Sequence, residues 1–428
     1  MAFSDDQVML TLAALAYRGV QDVFTGTLHE EFVQEALLEG LDRFEPVRGQ
    51  WKLVWGPATT RRVPLKNFRT LNVFDWNAMY VVRHLEFPNK YVVAIRGTNP
   101  VAAPDWLFGD LWVNTTVRWP YGDGKEVISG STALGLAALQ GMRSAGPESQ
   151  NETVHFIAKE TQDLFHAIVR QGQRALKGLT GHTPADKLSL VEKQLNRIIQ
   201  HWLASAADRD AVRAQIQRLT SEELVEQHEL RPRLMPESER NGRLDLLTFL
   251  RTQADASQEP LEVTVTGHSK GGALAPTVAL WLKEATLESG EECWDKRQKA
   301  RVRFYAFAGP TPGNGAFADR LDTKLNDSSH YLVNTNDVVP LAFQVDQLNR
   351  IPDLYRDRTS GLKTLVENLI AGIEKLNYRH SVKEVRKFAG ELDPSRSLAA
   401  ELIHQHLDAY LAELRLLSDE FNALTCFV

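Results

Sequence analysis

Residues 261–275 read Leu-Glu-Val-Thr-Val-Thr-Gly-His-Ser-Lys-Gly-Gly-Ala-Leu-Ala, a β-type run that meets a helical run at a single serine. A chain built this way must reverse direction sharply at Ser269. Gly267 and Gly271 stand where side chains would collide as the backbone folds back. A G-x-S-x-G spacing between a strand and a helix thrusts the serine hydroxyl out at the end of a sheet, above a helix N-terminus whose dipole favours a developing anion. Gly272, Ala273 and Ala275 let that helix pack closely on its neighbours. Ser269 is therefore expected to be a nucleophile.

The remaining sequence supplies a sheet on which such a turn can sit. Trp51–Trp55, Ala78–Leu85 and Tyr91–Ile95 are rich in β-branched and aromatic residues and lie between turn-forming stretches. Leu261–Thr266 and Val302–Phe307 follow, with helical patterns over Ala273–Ala285 and Gly315–Leu325. Strands alternating with helices predict α/β architecture, a mostly parallel central sheet flanked by helices. Between about 150 and 241 the texture turns polar and strand-poor. Thr183-Pro184-Ala185-Asp186 reads as a helix start, and Leu188, Val191, Leu195, Ile198 and Trp202 then form one apolar stripe. Ile157, Leu164, Ile168 and Val169 repeat the pattern, and Pro232 and Pro236 break it. Residues 141–241 are thus expected to be a helical insertion or cap, without a catalytic residue, inside a single catalytic domain spanning 1–428.

Over 428 residues, 43% hydrophobic and 24% charged content is enough for a sizeable core. A net charge of −6 with no basic run excludes a nucleic-acid footprint. Cys293 and Cys426 cannot form a disulfide framework or fill a zinc site, and no metal or cofactor is expected. The opening Met-Ala-Phe-Ser-Asp-Asp-Gln lacks a secretory n-region, and no apolar run reaches the roughly 20 residues that span a bilayer. The expectation is a cytoplasmic protein, or one exported without a signal peptide.

A serine hydroxyl is a weak nucleophile and needs a base, which in turn needs an orienting acid. Downstream of Ser269 the histidines are His330, His380, His404 and His406. Asp337 follows the apolar run His330–Val333 and precedes Val338-Val339-Pro340, which puts it at a strand end, whereas Asp346 and Asp353 lie in loop-like stretches.

In several segments the chain resembles the class 3 lipases, the fungal-lipase-like family of α/β-hydrolases. Val92-Val93-Ala94-Ile95-Arg96-Gly97-Thr98 looks like the strand and R-G-[ST] turn of that family's oxyanion hole. Asp105-Trp106-Leu107-Phe108-Gly109-Asp110-Leu111 looks like its short helical lid. Gly267–Gly271 matches the elbow, and Asn336-Asp337-Val338-Val339-Pro340 resembles the turn bearing the acid. Tyr378-Arg379-His380 with Glu384-Val385 resembles a late strand, and His406-Leu407-Asp408-Ala409-Tyr410 the histidine helix. The likeness covers about 75–140 and 245–412. Two departures stand out: 269 − 98 = 171 residues separate Thr98 from Ser269, and Ser381-Val382 stand where a glycine is usual after the Tyr378 segment.

The resemblance implies an α/β-hydrolase fold and the order Ser269, Asp337, His406 for nucleophile, acid and base. His406 is preferred over His404 and His380 for its tyrosine four residues on. The N–H of Lys270 and the N–H and hydroxyl of Thr98 would hold the oxyanion. Arg96 reads as a structural ion-pair partner. Trp106, Leu107, Phe108, Leu111 and Trp112 would form an apolar lid or pack in the core. The function expected is a serine carboxylic ester hydrolase, a lipase acting on acylglycerols at a lipid–water interface. Phospholipase A-type or feruloyl esterase action on the same scaffold is the alternative, and a non-catalytic binding protein the more distant one.

Overall fold

The computed structural model describes residues 3–18, 30–59, 78–97, 113, 116–144, 243–288, 293–325, 328–355, 361–381 and 385–418. The expected helical insertion at 141–241 lies outside the described residues apart from its first four positions.

Among the described residues seven strands form one sheet: β1 (Trp51–Thr59), β2 (Ala78–His84), β3 (Lys90–Ile95), β6 (Glu262–His268), β7 (Arg301–Phe307), β8 (Ser329–Asn334) and β9 (Val385–Phe388), in that spatial order. A short pair, β4 (Thr116–Arg118) and β5 (Val127–Ser129), stands apart. The first two pairings of the large sheet are antiparallel and every pairing from β3 onward is parallel. This is the α/β-hydrolase fold, with the mostly parallel sheet that the strand–helix alternation predicts.

Alternation along each central strand feeds two cores. Tyr91, Val93 and Ile95 of β3, Val263 and Val265 of β6, and Phe304 and Ala306 of β7 face one cluster. There they meet helices α3 (Gly130–Gly141), α4 (Leu246–Ala256) and α5 (Lys270–Ala285). Val92, Ala94, Tyr305 and Phe307 point the other way, onto α1 (Asp5–Leu15) and α2 (Glu30–Arg43). Such two-sided burial is why these strands read as continuous apolar runs. Thr264 and Thr266 of β6 are buried polar exceptions: the Thr264 hydroxyl accepts from Arg303 Nε at 2.9 Å, and the Thr266 hydroxyl donates to the Met9 carbonyl at 3.0 Å.

Helix α1 has no apolar stripe to find in the sequence, because every residue from Val8 to Leu15 is buried. Its start is legible in polar terms: Ser4 and Gln7 form a reciprocal capping box. No described helix is long and apolar enough to cross a membrane.

Parallel pairing brings the carboxyl ends of β3, β6, β7 and β8 to one edge, where α5 begins. The helix approaches so closely that a Cβ at Gly271 would lie 2.5 Å from the Ile95 carbonyl oxygen. A backbone oxygen cannot move aside as a flexible side chain can. Gly271→Ala is therefore expected to cost about 1–3 kcal/mol in stability, read as a lower urea midpoint at unchanged slope. An unshifted midpoint would show that the helix start has room to yield.

Candidate active site

Ser269 joins β6 to α5 with φ 62° and ψ −128°, a backbone region that side chains rarely enter and that costs about 1–3 kcal/mol. Its N–H donates to the Phe307 carbonyl at 2.9 Å, and its own carbonyl accepts from Gly272 at 2.8 Å and Ala273 at 3.2 Å. These bonds hold the turn from both sides. The serine hydroxyl then faces the edge of the sheet at the start of a helix of sixteen residues.

The other two side chains arrive from distant segments. Asp337 follows β8 and caps the short helix α7 (Val338–Leu341), its Oδ1 accepting from the Val339 N–H at 3.0 Å. His406 ends α9 (Leu398–His406), which Ser397 caps by accepting from Ala400. His406 Nδ1 lies 2.8 Å from Asp337 Oδ2, and Nε2 lies 2.8 Å from Ser269 Oγ. An ionised carboxylate only accepts, so Nδ1 carries the ring proton and the Nε2 lone pair receives the serine hydroxyl. Asp337 is 1% exposed. The Tyr410 hydroxyl donates to the same Oδ2 at 3.1 Å. Tyr410 lies in α10 (Asp408–Glu413).

His268, inside the G-x-S-x-G motif, is completely buried beneath this row. Its Nε2–H donates to the main-chain oxygen of His406 at 2.8 Å. The Tyr17 hydroxyl donates to the His268 carbonyl at 3.0 Å and lies 3.4 Å from Nδ1. Burial, with the nearby His406 adding to it, holds His268 well below the usual histidine range, so the ring is neutral.

The rival bases are engaged elsewhere. His330 stacks on Tyr305 with ring centroids 4.3 Å apart. His380 lies 3.0 Å from the Pro340 carbonyl, and burial pushes it down to about 4. His404 faces Asp408 at 3.3 Å. Among the rival acids, Asp346 accepts from the Gln347 amide at 2.8 Å, and Asp353 sits in the first turn of a short helix. Lys270 opens α5 and is buried beside the Ser269 turn, and Arg96 is likewise buried. Thr98, Trp106, Leu107, Phe108, Leu111 and Trp112 lie outside the described residues. No described cluster of His, Cys, Asp and Glu could hold a metal ion.

Tyr17, His268 and Asn334 were not singled out by the motifs, although His268 sits within one. Many of their partners are main-chain atoms from remote segments, which no local pattern encodes.

His406→Ala is expected to abolish turnover, whereas His404→Ala leaves kcat within a few-fold; the reverse ranking of initial rates would reassign the base. A second expectation concerns pH. An unfolded histidine titrates near 6.5, so below that value the unfolded chain takes up a proton that folded His268 refuses. Stability from this group is intact above about pH 6.5 and declines as pH falls toward the depressed folded value. His268→Asn should flatten that limb of the curve of Tm against pH; an unaltered slope would mean another group sets it.

The sequence model of the Lipase (class 3) family matches residues 243–347, a span holding Ser269 and Asp337 but not His406. The "Secreted mono- and diacylglycerol lipase LIP4" of Malassezia restricta is 40% identical over 78 residues, which are 18% of this chain and 22% of that protein. The match thus spans about a fifth of that relative's length. Among solved structures, "Crystal structure of M37 lipase" aligns with a TM-score of 0.66 at 24% identity, covering 99% of this chain and 97% of that one; at that identity it bears on the fold alone. The likeness to the class 3 lipases that the motifs led us to expect is thus found over residues 243–347 and in the LIP4 stretch, and the fold is that of a lipase of known structure.

Proposed function

We propose that the chain is a serine carboxylic ester hydrolase that cleaves acylglycerols through an acyl-enzyme on Ser269. The observation that carries this reading is the 2.8 Å approach of His406 Nε2 to Ser269 Oγ, with Nδ1 held by a buried carboxylate at the same distance. As Oγ bonds to the ester carbonyl carbon, its proton passes to Nε2 and the carbonyl π pair moves onto oxygen. The Lys270 N–H at the start of α5, with Thr98 as the resemblance implies, would stabilise that oxyanion, each donor contributing about 3 kcal/mol. Collapse breaks the carbon–oxygen bond to the alcohol, which leaves with the proton from Nε2. Water then repeats the sequence: Nε2 takes its proton, hydroxide adds to the acyl carbon, and Ser269 departs and recovers a proton. Asp337 orients the ring and stabilises its cationic form throughout without taking the proton.

Acylglycerol is preferred as substrate because the matched relative is named a mono- and diacylglycerol lipase. A series of p-nitrophenyl esters of increasing acyl length, run beside a diacylglycerol and a phospholipid, tests both parts. The diacylglycerol should be hydrolysed and the phospholipid largely spared, and Ser269→Ala should lower kcat at least about a thousandfold. Undiminished turnover by that variant would remove Ser269 as nucleophile, and a preference for phospholipid would reassign the substrate.

A further inference from the structure

The three side chains at the site come from three separate pieces of chain, and productive geometry requires them to be held within about 0.5 Å. The strained turn holds Ser269. Beyond their own 2.8 Å hydrogen bond, Asp337 and His406 need their backbones brought together, since one follows β8 and the other ends α9 after a long excursion. What joins those two pieces is a buried polar network centred on Asn334, the last residue of β8.

Asn334 is fully buried and every polar atom it has is used. Its N–H donates to the Tyr410 hydroxyl at 3.0 Å, and its carbonyl accepts from the Asp337 N–H at 3.1 Å. The side-chain Oδ1 accepts from the N–H groups of Asn336 at 3.0 Å and Gly390 at 2.9 Å. Nδ2 donates to the main-chain oxygen of Gln405 at 2.9 Å and to its Oε1 at 2.8 Å. Two neighbours are pure donors and two are acceptors, so the amide has only one workable orientation. Gln405, the residue before His406, is equally buried and spends its Nε2 on the Glu391 carbonyl and Glu401 Oε1, both at 2.7 Å. Glu401 Oε2 in turn accepts from the Asp393 N–H at 3.1 Å.

We propose that Asn334 is a positioning residue that sets the distance between Asp337 and His406, with Gln405 as its counterpart on α9. This rests on the reading of Ser269, His406 and Asp337 given above. Any slide of α9 against β8 strands several buried donors and acceptors at once, and each such group is costly to leave unpaired. The side chain touches no reacting atom, so its effect reaches the reaction only through the angle and distance of the imidazole.

The test uses the full chain, with functional sites counted by titration with a fluorophosphonate so that any misfolded fraction drops out. Asn334→Ala should lower kcat per titrated site about 10- to 100-fold with KM within about twofold. Asn334→Asp has the same shape but sets a carboxylate oxygen against the two Gln405 oxygens. Near neutral pH it should lose as much as the alanine variant. Protonation restores its donor, so its kcat relative to wild type should rise as pH falls, while the alanine ratio stays flat. A role in packing volume alone would spare the isosteric variant at every pH. If neither variant folds, Gln405→Met, which keeps the main-chain acceptor and the bulk, should lose several-fold in kcat by the same measure. Wild-type kcat per site in Asn334→Ala, or in Gln405→Met where only it folds, or a pH-flat ratio for Asn334→Asp, would overturn the positioning role. Ser269→Ala separates the two levels: lost labelling there beside full turnover in Asn334→Ala sinks this inference alone, whereas retained turnover in Ser269→Ala sinks the reading of the site and this role with it.

Discussion

The hydrogen bond from the Ser269 N–H to the Phe307 carbonyl, at 2.9 Å, continues the β6–β7 ladder one step past its last paired residues, His268 and Phe307. That one extra rung lets the chain leave the strand with a positive φ and still spend its amide. A residue in such a conformation persists only where its surroundings over-determine it. Here those surroundings are two parallel strands buried on both faces and a helix whose first turn lies against the ends of β3 and β7. The position of the serine hydroxyl is thus a property of the sheet.

The imidazole and the carboxylate are held differently. They depend on buried polar atoms whose partners are mostly main-chain groups far away in sequence. His268 reaches from the Ser269 turn to the main-chain oxygen of His406, and Asn334 reaches from the strand before Asp337 to the residue before His406. In a low-dielectric interior such networks rigidify when every member is satisfied. The neutral state of His268 belongs to the same economy, since a charge there would be buried beside the ring proposed to become cationic.

Beyond the matched span, residues 351–376 lie in a part of the chain that the family match does not reach. Ile351, Val366 and Ile373 from that part join Leu341, Phe343, Leu348 and Val113 in a third apolar cluster beside the Asp337 turn. Tyr378 closes it by donating to the Val113 carbonyl at 2.7 Å. Ser381, which stands where a glycine is usual in the class 3 lipases that the chain resembles, is buried and donates to Asp322.

Some of this was legible in the residues and some was not. The strand runs at 51–55, 78–85, 91–95, 261–266 and 302–307 correspond to observed strands with ends shifted by a few residues, because β-branched and aromatic content is a local signal. The glycine spacing around Ser269 announced a tight turn for the same reason. Helix α1 was invisible to periodicity because its middle and end are buried on every side. By itself the sequence determined where most strands of the large sheet lie, where the chain must turn, and which serine stands on that turn, while the short β4 and β5 pair went unmarked. Only the tertiary structure decided which of four histidines lies beside it, since His404 and His406 differ by two positions on one helix yet face Asp408 and Ser269 respectively. The direction of a side chain depends on how α9 is rotated against β8. Asn334, Gln405 and Tyr410 tie the two elements together through contacts that span some seventy residues of chain; of these only the spacing of Tyr410 from His406 showed in the sequence, through the resemblance.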